Sequence, residues 1–376
     1  MYIPQYQLSN LKKLIAPQKA VVVYGPRRCG KTTLVNEMLK SSADKYLFVS
    51  GEDIAIRDYL ESESIEKLRS FIGSNSLLVI DEAQKVRNIG TNVKLILDHI
   101  PGIKVVATGS SSFDLAKHVG EPLTGRKFTL RLFPLAQIEL APLENAAESA
   151  ARLEERLIYG SYPEVVLTRD PAQRIRYLKE LVGSYLYKDI LELEGVRSSD
   201  KLVRLLQLIV FQIGKEVSCT ELGTQLGISK NTVERYLDLL EKAFVIFKLR
   251  GFNRNLRKEI TKNARYYFFD TGIRNALVNN FNPLSMRDDV GMLWENYIIC
   301  ERMKKQEYTG LASNNYFWRT YDKKEIDLVE ERGGTLHGYE IKWSDNKSRM
   351  PALWAETYPG ATSDIITRDN YIPFIT

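Results

Sequence analysis

The sequence predicts an α/β chain: a parallel-sheet domain, then a helical connector with a second mixed segment, then a final α/β part. Three observations carry this for the first domain. Residues 25–32 read Gly25-Pro26-Arg27-Arg28-Cys29-Gly30-Lys31-Thr32, a complete phosphate-binding loop between an apolar β-branched run, Val21-Val22-Val23-Tyr24, and a helical pattern from Thr33 to Leu39. A second apolar run, Leu77-Leu78-Val79-Ile80, ends in Asp81-Glu82. A third, Lys104–Thr108, delivers Gly109-Ser110-Ser111 to what should be the same edge of the sheet, where ligands of parallel sheets collect.

Each element has a chemical reading. Gly25 and Gly30 let the loop curl, so that main chain from Gly25 through Pro26, Arg27, Arg28, Cys29 and Gly30 to Thr33 cradles a polyphosphate at a helix N-terminus. Lys31 is expected on the β- and γ-phosphates and the Thr32 hydroxyl on Mg²⁺, so the expected ligands are ATP and Mg²⁺. Asp81 suits the magnesium shell. Glu82 suits the base that orients the attacking water, an effect of ~10²–10⁴ in rate. Ser110 is a candidate γ-phosphate sensor, with a plain turn or cap role as the equal alternative. Arg126, in Leu123-Thr124-Gly125-Arg126-Lys127, is a candidate arginine finger acting in cis or from a neighbouring subunit, a role worth ~10³–10⁵ where it operates. A surface arginine before an edge strand is the other reading.

At these residues the chain resembles the bacterial and archaeal AAA-type ATPases in which a P-loop domain precedes a long domain of unknown function. The resemblance runs through Asp81-Glu82-Ala83-Gln84, Thr108-Gly109-Ser110-Ser111-Ser112, Gly125-Arg126, Leu132-Phe133-Pro134-Leu135, Gly160-Ser161-Tyr162-Pro163-Glu164, Lys188-Asp189-Ile190 and Phe269-Asp270-Thr271-Gly272. It implies an additional-strand ATPase sheet with Glu82 as base.

A length of 376 residues accommodates two or three cored domains. The net charge of +6 is a mild bias, so a nucleic-acid surface must come from local clustering. Cys29, Cys219 and Cys300 are far apart and lack metal-ligand spacing, which argues for a reducing cytoplasm. His99, His118 and His337 are equally scattered. No apolar run is long enough to suggest a membrane span. The expected domains are an ATPase domain over 1–140, a helical lid or connector over 141–194, a winged helix over 195–280, and a nuclease-like domain over 281–376.

The winged-helix expectation rests on local signals. Ser218-Cys219-Thr220-Glu221 reads as a capping box opening a short helix, Gly227 as the turn, and Ser229 as the cap of a second helix. On that helix Val233, Tyr236, Leu237 and Leu240 face a core, leaving Lys230, Asn231, Thr232 and Arg235 outward near the end that meets base edges in a recognition helix. Strands are expected at Phe244–Leu249 and Tyr266–Phe269. Between Val245 and Asn275 the basic residues Lys248, Arg250, Arg254, Arg257, Lys258, Lys262, Arg265 and Arg274 oppose only Glu259 and Asp270. DNA is the expected partner of this basic wing; packing against protein is the alternative, and a homo-oligomer is compatible with either.

The C-terminal part carries Glu325-Ile326-Asp327, then Gly333-Gly334, then Glu340-Ile341-Lys342. A two-residue hairpin at the glycines sets Asp327 opposite Glu340 and Glu325 opposite Lys342, all on one face. This resembles the PD-(D/E)XK nucleases, with Glu295 matching their upstream acid, although Ile326 stands where that pattern has proline. The resemblance implies a metal held by Asp327, Glu340 and Glu295, with Lys342 assisting water attack on a phosphodiester. A cross-strand ion-pair ladder is the alternative, disfavoured by repulsion between Asp327 and Glu340 unless a cation lies between them.

Overall fold

A computed structural model describes residues 2–110, 123–186, 199–253, 264–320, 324–344 and 350–376. It divides into two compact units, Met1–Pro134 with Lys242–Phe244, and Leu135–Glu241 with Val245–Thr376.

The first unit is built on five parallel strands: β1 (Ala20–Tyr24), β2 (Tyr46–Ser50), β3 (Leu77–Asp81), β4 (Lys104–Gly109) and β5 (Lys127–Arg131). Their order is β2-β3-β4-β1-β5, so β4 lies between the phosphate-loop strand and the Asp81 strand, as the ATPase resemblance implied. Alternating residues fill two cores. Val22, Tyr24, Leu78, Ile80, Val105 and Ala107 pack with Val93, Ile96 and Leu97 of helix Ile89–His99. Val21, Val23, Leu77, Val79 and Val106 pack with Leu34, Val35 and Met38 of helix Lys31–Lys40. Burial of both faces explains why β1, β3 and β4 read as apolar runs.

The second unit holds β6 (Ile246–Gly251), β7 (Arg265–Phe268), β8 (Asn314–Arg319), β9 (Glu325–Arg332), β10 (Thr335–Ile341) and β11 (Thr362–Ile366). They form one sheet ordered β11-β10-β9-β8-β6-β7. The division expected at 280/281 therefore does not separate compact units, because β6 pairs in parallel with β8, Arg250 beside Tyr316 and Gly251 beside Phe317.

The connector expected as a lid belongs to this second unit as well. Its helix Leu153–Tyr159 is tied to helix Thr271–Leu277: the Asn275 amide donates to Leu157 O (3.0 Å) and Ile158 O (2.8 Å), and the Thr271 hydroxyl to Arg156 O (2.7 Å). Ser161 N donates to Asp270 Oδ2 (2.7 Å). Two of the motifs behind the family resemblance thus meet in a buried polar junction.

Local signals at the second helix pair are realised. The Ser218 hydroxyl accepts from Glu221 N (3.3 Å) to open helix Cys219–Leu226, and Gly227 ends it. The Ser229 hydroxyl accepts from Thr232 N (3.2 Å) to open helix Lys230–Lys242, whose Val233, Tyr236, Leu237 and Leu240 are buried. Val217 bridges Ala264, and β6 pairs antiparallel with β7.

Candidate nucleotide site and carboxylate cluster

The phosphate loop joins the end of β1 to helix Lys31–Lys40, with Gly30 at φ +99°, a backbone conformation that favours glycine. A methyl at Gly30 would also stand 2.8 Å from Gln5 Nε2. Lys31 is 5% exposed, and its ammonium donates to Gly25 O and Pro26 O, both at 2.9 Å. Polyphosphate oxygens are the natural replacement for those carbonyl acceptors.

Asp81, at the end of β3, is held from two sides. The Thr32 hydroxyl donates to Asp81 Oδ2 (2.9 Å), and the Thr108 hydroxyl donates to Asp81 Oδ1. Thr108 also accepts from Glu82 N (3.2 Å), and the Gln84 amide hydrogen-bonds the Glu82 carboxylate. Mg²⁺ prefers one or two carboxylates together with substrate phosphates and water. The Thr32 hydroxyl beside the Asp81 carboxylate fits that donor set. Ser110 is fully buried just beyond β4, at the loop end of the sheet.

Arg126 is at the other end. Its carbonyl accepts from the N–H of Ala20, the first residue of β1, whereas the phosphate loop follows Tyr24, the last. Five residues at ~3.3 Å each set the two ends roughly 15 Å apart. Its guanidinium is paired with Asp98, Nε to Oδ1 at 2.7 Å. The length of β1 thus lies between Arg126 and the phosphate loop of its own chain. Thr108, Gln84 and Gln5 were missed by sequence reasoning. Thr108 lay in plain view one residue before Gly109, in the motif already singled out.

Residues 17–141 match a family model described as AAA domain. The remainder of the chain matches models whose function is not described. These are Domain of unknown function (DUF8612) over 150–284 and Domain of unknown function (DUF4143) over 290–352. An uncharacterized protein of Mycobacterium tuberculosis is 24% identical over 346 residues, covering 90% of this chain and 74% of the relative. One of Methanocaldococcus jannaschii is 26% identical over 337 residues, covering 84% and 73%. The structure of the replication initiator DnaA bound to AMPPCP and single-stranded DNA aligns with a TM-score of 0.32 and 15% identity, covering 64% of this chain and 90% of that one.

Beyond residues 17–141, the glycine hairpin has the expected register. Gly333 and Gly334 have φ +57° and +79°, both positive as a type I′ turn requires. Tyr339 pairs with Leu328, so the next positions set Glu340 beside Asp327. Lys342 Nζ lies 2.6 Å from Glu340 Oε1 and 3.6 Å from Asp327 Oδ2. Helix Val290–Thr309 supplies Glu295.

The sequence did not reveal what lies among these acids. Arg265 of β7, 1% exposed, reaches Glu325 Oε2 (2.7 Å), Asp327 Oδ1 (3.5 Å) and Glu295 Oε1 (3.8 Å). The Tyr267 hydroxyl donates to Glu295 Oε1 (2.7 Å), and Ile341 N to Asp327 Oδ2 (2.9 Å). Burial, reinforced by Asp327, pushes Glu295 up to about 8 and Glu340 up to about 7.

The metal expected at Asp327, Glu340 and Glu295 does not fit this arrangement. Among the described residues no group of three or more His, Cys, Asp or Glu side chains is set to hold a metal ion. The physical reason is that both Asp327 oxygens and Glu295 Oε1 already face protein donors, leaving Glu340 Oε2 as a buried oxygen without a hydrogen-bond partner.

The basic wing is also revised. Arg265 and Arg274 are buried, Arg274 against Asp289 (2.5 Å), so neither faces a solvent partner. Arg254, Arg257, Lys258 and Lys262 lie outside the described residues. Lys230, Asn231, Arg235, Lys248 and Arg250 are exposed. Among the described residues no helix is long and apolar enough to cross a membrane.

Proposed function

We propose that the first unit hydrolyses ATP with Mg²⁺ and that nucleotide state governs how the second unit engages DNA. The observation that carries the catalytic part is the placement of Thr32 and Thr108 on the two oxygens of Asp81. Thr32 and Asp81 would hold Mg²⁺, whose contribution is to neutralise charge on the phosphates. Loop N–H groups and Lys31 bind and orient the polyphosphate. Glu82, positioned by Thr108 through its backbone and by Gln84 through its side chain, would orient and deprotonate the attacking water. Ser110 would sense the γ-phosphate. Arg126 would serve a neighbouring copy in a homo-oligomer, provided it leaves Asp98.

The DNA part is supported by the succession of capped helices and the antiparallel pair β6 and β7, with Lys230, Asn231 and Arg235 at the exposed start of helix Lys230–Lys242 and Lys248 and Arg250 alternating outward on β6. A protein-binding scaffold is the second reading. It is favoured by the exposed acids Glu234 and Asp238 on the same helix, Glu234 lying 3.5 Å from Lys230. Phosphodiester cleavage does not enter either reading, because the Asp327 oxygens are committed to protein donors. Steady-state ATP turnover with and without duplex or single-stranded DNA separates the two: stimulation that disappears at high salt supports DNA, and indifference to every DNA supports the scaffold.

A further inference from the structure

We infer that Arg265 takes the place of a divalent cation in the carboxylate cluster, so that the cluster is an internal ion-pair hub joining β7 to the hairpin β9–β10. Two opposed acids on neighbouring strands repel unless a positive charge lies near them. Here the Arg265 guanidinium supplies that charge to Asp327 at 3.5 Å, and Lys342 supplies it to Glu340 at 2.6 Å and Asp327 at 3.6 Å.

The Arg265 fork cannot be regarded as a mobile plug. It belongs to a strand buried at every position, it is 1% exposed, and its guanidinium lies 4.5 Å from the centre of the Phe317 ring. Burial opposes its charge, but Tyr267, Glu295, Glu325 and Asp327 raise its pKa, so it remains a cation. Mg²⁺ demands near-octahedral oxygen ligands at ~2.0–2.1 Å. To collect them, Asp327 would have to surrender the Ile341 N–H as well as Arg265, and Glu295 its tyrosine.

The arginine and the acids come from segments that match separate domain models, residues 150–284 and 290–352. The hub therefore holds the two segments together as well as filling the site. Glu325 extends it outward through Arg319 (3.9 Å), which also pairs with Glu216 (3.2 Å).

Mn²⁺ binding followed by electron paramagnetic resonance tests this in the full chain carrying Asp81→Ala, which removes the nucleotide-site ligand. Otherwise unaltered at the cluster, that protein should bind no Mn²⁺ that Asp327→Asn abolishes. Arg265→Ala should create such a site, and Arg265→Ala with Asp327→Asn should lose it again. Arg265→Lys, which keeps the charge, should leave Mn²⁺ unbound. Stoichiometric Mn²⁺ binding that depends on Asp327 while Arg265 is present, or Asp327-dependent nicking of supercoiled plasmid, overturns the inference. If Arg265→Ala fails to fold, the Arg265-containing protein decides the matter alone.

Discussion

The Thr108 hydroxyl donates to Asp81 Oδ1 from the adjacent strand, leaving Oδ2 to the Thr32 hydroxyl at 2.9 Å. This relationship fixes the direction in which Asp81 presents itself to a metal. It makes Thr108 a positioning residue. Such supporting hydrogen bonds typically contribute 10–100-fold to metal affinity or activity. Thr108→Val should therefore lower ATP turnover by about one to two orders of magnitude and move the Mg²⁺ requirement to higher concentration. Binding of nucleotide measured without Mg²⁺ should be unchanged. Equal turnover and an unaltered Mg²⁺ titration would remove Thr108 from this role.

The exposed basic side chains give a salt-dependent prediction. Lys230, Lys248 and Arg250 each changed to Gln should weaken duplex binding without changing the fold. The log-log dependence of affinity on salt should flatten by about 0.9 for every phosphate that is no longer neutralised. Fluorescence anisotropy across a salt series measures this directly. A slope that stays constant in the triple variant assigns these residues to solvent or to a protein partner.

The cluster predicts a pH dependence. Glu295 and Glu340 have their folded pKa raised, first by burial and then by Asp327, so the folded chain binds more protons than the unfolded chain. Stability is then fully supported below the ordinary glutamate range and falls as pH rises towards about 8. Thermal unfolding followed from pH 5 to 8 should show the midpoint of the second unit decreasing. Glu295→Gln should flatten that decline. A midpoint that rises over this interval, with no effect of the substitution, would contradict the assignment.

Sequence patterns exposed what is local. The strand-loop-helix around Lys31, the caps at Ser218 and Ser229, the buried face of Val233, Tyr236, Leu237 and Leu240, and the register across Gly333-Gly334 each depend on residues within a few positions. Elements joined over long separations were not visible in the same way. Arg265 meets acids from 30 to 62 positions away only because β6 pairs with β8, and no periodicity announces that pairing. For Arg126 the neighbours left a finger and a surface arginine both open, and its place at the other end of β1 emerges only from strand direction. Near 280 too, a single sheet continues across the expected boundary, because β6 pairs with β8.

Nucleotide hydrolysis is the central claim, and Mg²⁺-dependent phosphate release by Glu82→Gln beside equilibrium binding of ATP tests it most directly. The wild type should release phosphate, and Lys31→Ala should lose ATP binding. Glu82→Gln should bind Mg²⁺-ATP with near-normal affinity while turnover falls by ~10²–10⁴. Wild-type turnover in Glu82→Gln, or unimpaired ATP binding in Lys31→Ala, would contradict the account.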